Sequence, residues 1–151
     1  MLAVLEASLS PEGYNKAISA MRINGFLGEL VESPAVMNEF SYNFVLFGTP
    51  SESQAWGWSF YGHHLCLNAF FYKSQMVLSP WFTGAEPNEI DAGPYAGTRI
   101  LTKEERLGLK LMQGLSPELQ KEAQIYEEMH DTKMPVCGSS FVLSDVIADY
   151  K

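Results

Sequence analysis

From Leu2 to Ser8 apolar residues dominate, broken only by small and acidic positions, and they predict a short apolar turn. Ser10-Pro11-Glu12 then reads as a helix start, with a serine cap, proline at the first helical position and an acid at the positive end of the dipole. Behind it Tyr14, Ile18, Met21 and Leu27 recur near the 3.6-residue period, while Gly13, Gly25 and Gly28 weaken the helix. Ser33-Pro34 closes this section, because the residue before a proline is pushed out of the helical region.

At Tyr42 the period changes. Tyr42 to Phe47 is rich in strand formers and stops at Gly48-Thr-Pro50, so one buried strand is predicted. Ala55 to Tyr72 is too long for an ordinary strand, and Gly62 near its middle predicts a bulge or sharp bend, giving two segments or one bent strand. Lys73-Ser-Gln75 is a polar break before Met76 to Phe82 and predicts a hairpin, whose second strand Pro80 assigns to an edge or a strand end. Residues 83–98 carry glycine and proline throughout and form a loop of about 15 residues, long enough to hold function.

Helices resume at Thr102-Lys-Glu-Glu105, which has capping-box spacing, and Leu107, Leu111 and Leu115 form a stripe behind it. A second Ser-Pro-Glu start, at Ser116, opens a last helix toward His130, and a short element is expected within 141–150. Strands segregated from helices predict an α+β fold. Three or four central antiparallel strands are flanked by N- and C-terminal helices, in a single domain over 1–151.

Composition narrows the function. Of 151 residues, 46% are hydrophobic, with nine Phe, seven Tyr and three Trp, enough to build a core and argue against disorder. The net charge of -8 repels phosphate backbones and anionic lipid, so neither nucleic acid nor a membrane surface is an expected partner. No apolar run reaches the roughly 20 residues of a membrane helix, and the start lacks a basic leader, so a cytoplasmic location is expected. Cys66 and Cys137 are expected to be free thiols.

Candidate chemistry concentrates between Trp56 and Asn68. In a regular strand adjacent histidines face opposite ways, so only one of His63 and His64 is expected to line a pocket. In that register His64, Cys66 and Asn68 share a polar face, joined by Trp56 and Trp58 unless Gly62 shifts the alternation. One histidine would transfer protons, Asn68 would polarise the substrate, and the tryptophans would supply an apolar wall. The ordinary alternative is a hydrogen-bonded structural histidine beside core tryptophans. Metal binding is a third reading: His63 and His64 would need a bulge to converge, with Glu86, Asp91 or His130 as a third ligand and Zn²⁺ as the first guess. Arg99 is a candidate anchor for an anionic group, Glu86 a further candidate substrate contact, and no nucleotide-binding motif is present.

Gly48-Thr-Pro50, Trp56-Gly-Trp58, Gly62-His-His-Leu65, Leu67-Asn68, Phe82-Thr-Gly-Ala85, Pro87, Gly97-Thr-Arg99-Ile-Leu101 and Glu104 together resemble, in order and spacing, the domain-of-unknown-function family numbered 3500. The resemblance spans about Leu9 to Ala123 and brings no established activity. It implies that Trp56, Trp58, His63, His64, Asn68 and Arg99 occupy the family's motif positions. Members of that family are usually longer, so the chain is expected to be either a shortened member that completes itself by oligomerising or a fragment. The leading expectation is an enzyme of lyase, isomerase or hydrolase type acting on a small molecule as a homodimer. A non-catalytic ligand-binding or assembly domain is the rival, and a metal-assisted enzyme the third.

Overall fold

The computed structural model describes residues 1–126, so His130, Cys137 and the element expected within 141–150 lie outside the described residues. The fold is α+β, with four antiparallel strands in one sheet. Its first elements are α1 (Leu2–Ser8) and α2 (Pro11–Leu30). The apolar turn expected at the start is a full helix, α1, which buries Leu5.

Ser10 caps α2 as expected, its hydroxyl accepting from the Gly13 N–H at 3.1 Å, with Pro11 in the first turn. The buried stripe of α2 shares Met21 with the expected one and differs elsewhere. Ala17, Ala20, Met21, Ile23, Asn24 and Gly28 are buried, while Tyr14 and Ile18 pack only at the margin. The expectation followed the largest side chains, whereas the helix lies close to its neighbours through its smallest. At Gly28 a Cβ would overlap the Met37 carbonyl, so glycine lets the 33–41 segment close back over the helix.

Four strands follow, β1 (Tyr42–Phe47), β2 (Trp56–Gly62), β3 (Leu65–Tyr72) and β4 (Gln75–Thr83), paired in chain order as a meander. The long run from Ala55 to Tyr72 is thus two strands. Gly62 pairs with Leu65, leaving His63 and His64 as a two-residue turn. β4 is an edge strand, as Pro80 predicted. Ser79 and Pro80 form a bulge opposite Asn68, between the Leu67↔Trp81 and Ala69↔Leu78 pairs.

One sheet face is the core. Trp58, Phe60, Leu65, Leu67 and Ala69 pack with Leu5 of α1, with Ala17, Ala20, Met21 and Ile23 of α2, and with Ile90 and Ile100. Trp58 stacks on Phe44 at 5.9 Å between ring centroids, and Trp56 on Phe71 at 4.3 Å. The opposite face carries Ser59, Cys66 and Asn68, with Phe70, Val77 and Phe82 exposed.

α3 (Thr102–Gln113) begins at Thr102 itself. The Leu101 carbonyl accepts the first helical bond, from Glu105 N at 2.9 Å, so Thr102 is the first helical residue rather than its cap. Contacts within the chain separate a unit of Met1–Arg106 from a second beginning at Leu107. In the second, Ser116 caps α4 (Pro117–Ala123), which ends at Ala123 instead of continuing toward His130. Leu107 and Leu111 of the α3 stripe are exposed. No helix among the described residues is long and apolar enough to cross a membrane.

Candidate functional site

The β2–β3 turn overturns the strand reading of the histidines. His63 and His64 are the turn, and His64 takes a left-handed backbone with φ +54°. Turn geometry frees both rings from strand alternation, so they converge without a bulge, with centroids 4.0 Å apart. Glu86, three residues beyond the end of β4, reaches the same place. Its Oε2 lies 2.8 Å from His64 Nε2 and 3.5 Å from His63 Nε2. One donor atom from each of the three residues falls within 4.8 Å of the others, an arrangement able to hold a metal ion.

The turn is anchored at both carbonyls. The Tyr42 hydroxyl donates to His63 O at 3.0 Å, and the Gly84 N–H donates to His64 O at 2.7 Å. Burial pushes the Tyr42 hydroxyl up to about 12, which keeps it a neutral donor. A Cβ on Gly84 would lie 2.8 Å from His64 Nδ1, so only glycine lets the strand end pass beside that ring.

Asn24 sets the chemistry of His63. It is 2% exposed, and its Nδ2 donates to the Asn38 carbonyl at 2.8 Å. That bond fixes the amide so that Oδ1 faces His63 Nδ1, 3.1 Å away. His63 Nδ1 must then carry the hydrogen, which leaves the Nε2 lone pair turned toward Glu86. Burial, and secondarily the charge of His64, holds the His63 imidazolium below its ordinary range, against a smaller opposing pull from Glu86. The Glu86 carboxyl is held low, chiefly by its hydrogen bond from His64 and further by the charges of both histidines.

Asn24 was missed in the sequence. It lies with Ala17, Met21 and Gly28 at helical spacing, an amide where the period places a core residue. That mismatch was the available signal.

The remaining candidates among the described residues do not join the cluster. Trp56 and Trp58 lie on the core face, register-paired with Phe71 and Ala69, and not on the Asn68 face as the strand alternation had suggested. Trp58 is 1% exposed and its indole Nε1 has no hydrogen-bond partner among the described residues, whereas Trp56 Nε1 donates to Ser51 O at 3.1 Å. Asn68 occupies the opposite face, accepting from Ser59 Oγ at 2.5 Å and donating to Pro80 O at 2.9 Å across the bulge. Arg99 forms ion pairs with Glu89 at 3.5 Å and Glu105 at 3.8 Å. Asp91 takes no part in the histidine cluster.

No curated protein and no solved structure matches the chain. The family described as a protein of unknown function, DUF3500, matches residues 1–148, and the chain belongs to it.

Proposed function

We propose that the chain is a metal-dependent enzyme acting on a small molecule, with His63, His64 and Glu86 holding a divalent transition ion, Zn²⁺ as the first choice. The observation that carries this reading is the His63–Glu86–His64 cluster, oriented from behind by buried Asn24. Ligands in a tetrahedral site with bonds of about 2.0–2.1 Å lie roughly 3.3 Å apart. The 3.5 Å between His63 Nε2 and Glu86 Oε2 matches that spacing, and the 2.8 Å between His64 and Glu86 is the hydrogen bond that an ion would replace. His63 presents a lone pair at Nε2 because Asn24 takes its other hydrogen, the outer-shell device common to metal-bound imidazoles.

The cluster is open. His63 and His64 side chains are 36% and 33% exposed and Glu86 60%, so an ion held there keeps positions free for water or substrate. Three protein donors and an open position are the mark of a catalytic rather than a structural zinc site. An ion so held would supply Lewis acidity, which suits hydrolysis or lyase chemistry on a polarised oxygen.

Elemental analysis of protein purified without chelator, followed by Zn²⁺ titration, tests this directly. One ion per chain, lost in His63→Ala and His64→Ala, is the expected result. Wild-type protein that binds no Zn²⁺ on addition, or binds it as tightly as both variants, would overturn the metal centre. The His64–Glu86 pair would then stand as a metal-free acid/base couple, read by the loss of activity in Glu86→Gln.

A further inference from the structure

The unit of Met1–Arg106 contains a cavity of about 320 Å³ lined by Arg22 and Phe26 of α2, Phe40 of the following segment, and Tyr95 of the long loop. None of the histidine-cluster residues lines it. The Arg22 guanidinium lies over the Tyr95 ring, 4.3 Å from its centroid. Its Nε is buried with no hydrogen-bond partner, and Arg22 forms no ion pair among the described residues.

What sets Arg22 apart from the other unpaired cations is that its Nε is buried and its guanidinium is held against an aromatic ring. A guanidinium does not deprotonate to relieve a missing partner, and a buried donor left unpaired is destabilising. Stacking on Tyr95 fixes the guanidinium without using its N–H groups. The Nε is shut off from solvent, so an acceptor brought by a ligand would meet the Nη groups, where a carboxylate can accept end-on.

The rest of the cavity limits what carries that carboxylate. At about 320 Å³ it is at the small end of ligand pockets, room for one ring and a short substituent rather than a nucleotide. Phe26, Phe40 and Tyr95 offer aromatic surface for a flat apolar body. Glu29 and Glu39 line the same cavity and oppose any negative group away from Arg22, which disfavours dicarboxylates and phosphates more than a single carboxylate held at the guanidinium. We propose that this cavity binds a small aromatic monocarboxylate, with its carboxylate accepting from Arg22 and its ring against Phe26, Phe40 and Tyr95.

Calorimetric titration of the full chain with benzoate and with its neutral isostere benzamide tests the site. Benzoate is expected to bind saturably, with benzamide about 10-fold weaker or more, as loss of a charge-assisted hydrogen bond implies. Arg22→Gln should bring benzoate down to the level of benzamide while the thermal melt shows a folded protein. Should that variant not fold, the benzoate-to-benzamide ratio of the wild type decides, together with loss of benzoate binding in Tyr95→Ala. Equal affinity for the two compounds, no saturable binding of benzoate, or benzoate binding unchanged in Arg22→Gln would each overturn the proposal. Benzoate affinity lost in His64→Ala but kept in Arg22→Gln would place the carboxylate at the histidine cluster and overturn it equally. Failure here leaves the metal reading standing, because that reading is decided by Zn²⁺ stoichiometry.

Discussion

Two hairpin turns of the sheet share one length and differ in everything around it. Gly62-His63-His64-Leu65 joins β2 to β3, and Tyr72-Lys73-Ser74-Gln75 joins β3 to β4, each with two residues between the closing pair. Each turn holds one left-handed residue with φ of +54°, His64 in the second position of its turn and Lys73 in the first position of the other. Around Lys73 there is little besides its own neighbour, the ammonium lying 5.1 Å from the Tyr72 ring centroid. Around the histidines stand Tyr42 and Gly84 on the two carbonyls, Asn24 behind one ring and Glu86 in front of both. A left-handed residue is thus no sign of function in itself. What distinguishes the histidine turn is that neighbours from α2, β1 and the loop after β4 all fix it.

Removing either imidazole separates the two turns most sharply. His63→Ala or His64→Ala is expected to weaken Zn²⁺ binding by at least about 100-fold, beyond the 10–100-fold typical of an outer-shell partner. Lys73→Ala should leave it unchanged. Equal Zn²⁺ affinity in all three variants, measured by competition with a chromophoric chelator, would erase the distinction.

Asn24→Leu comes next, since it keeps the bulk and removes both hydrogen bonds. It strands the Asn38 carbonyl and frees the His63 ring, so a loss of about 1–3 kcal/mol in stability is expected. Zn²⁺ affinity should fall about 10–100-fold. A variant that unfolds earlier yet binds Zn²⁺ as tightly as the wild type would reduce Asn24 to a packing residue.

How much of this was legible depends on which force set each feature. The Ser10 and Ser116 caps, the hairpin at Lys73-Ser74 and the edge position of Pro80 are local, decided by a few adjacent residues, and each was readable. The histidine block was readable as a place but not as a geometry. Gly62 marked a bend, yet the turn consists of the next two residues, because the register closes at Gly62↔Leu65. Two aromatic and aliphatic strands meeting at His-His offered none of the usual Asn-Gly turn chemistry. The sides of Trp56 and Trp58 followed from that one error, since a turn in place of a continuous strand reverses the alternation. Glu86 was available only as one acid among several, and Asn24 only as an amide at a core position of the helical period. Their meeting depends on folding contacts between residues 39 and 22 positions from their histidine partners.

Acidification should act on the histidine turn and spare the other. His63 and Glu86 both hold protons less readily folded than unfolded, chiefly through burial for the first and the His64 hydrogen bond for the second. As pH falls the unfolded chain therefore takes up more protons, and stability declines. For His63 the contribution is complete above the unfolded value of about 6.5 and is lost as pH drops through the lower folded value. For Glu86 the same loss begins below about 4.3. The urea midpoint is expected to fall between about pH 7 and pH 5, and less steeply in His63→Gln. Parallel profiles for wild type and variant would show that the turn does not couple to pH through His63.

The smallest effect is expected at the other turn. Lys73 sits in a conformation that disfavours a side chain by roughly 1–2 kcal/mol, and glycine removes that penalty at the cost of about 0.5–1 kcal/mol of extra chain entropy. Lys73→Gly should then stabilise the protein by no more than about 1 kcal/mol, read as a small rise in the thermal midpoint with Zn²⁺ affinity untouched. His64→Gly relieves the same φ but removes a donor to Glu86, so it should lose Zn²⁺ binding whatever it does to stability. A fall in Zn²⁺ affinity in Lys73→Gly would mean that the far hairpin holds the near one in register, through the β3 strand that both turns share.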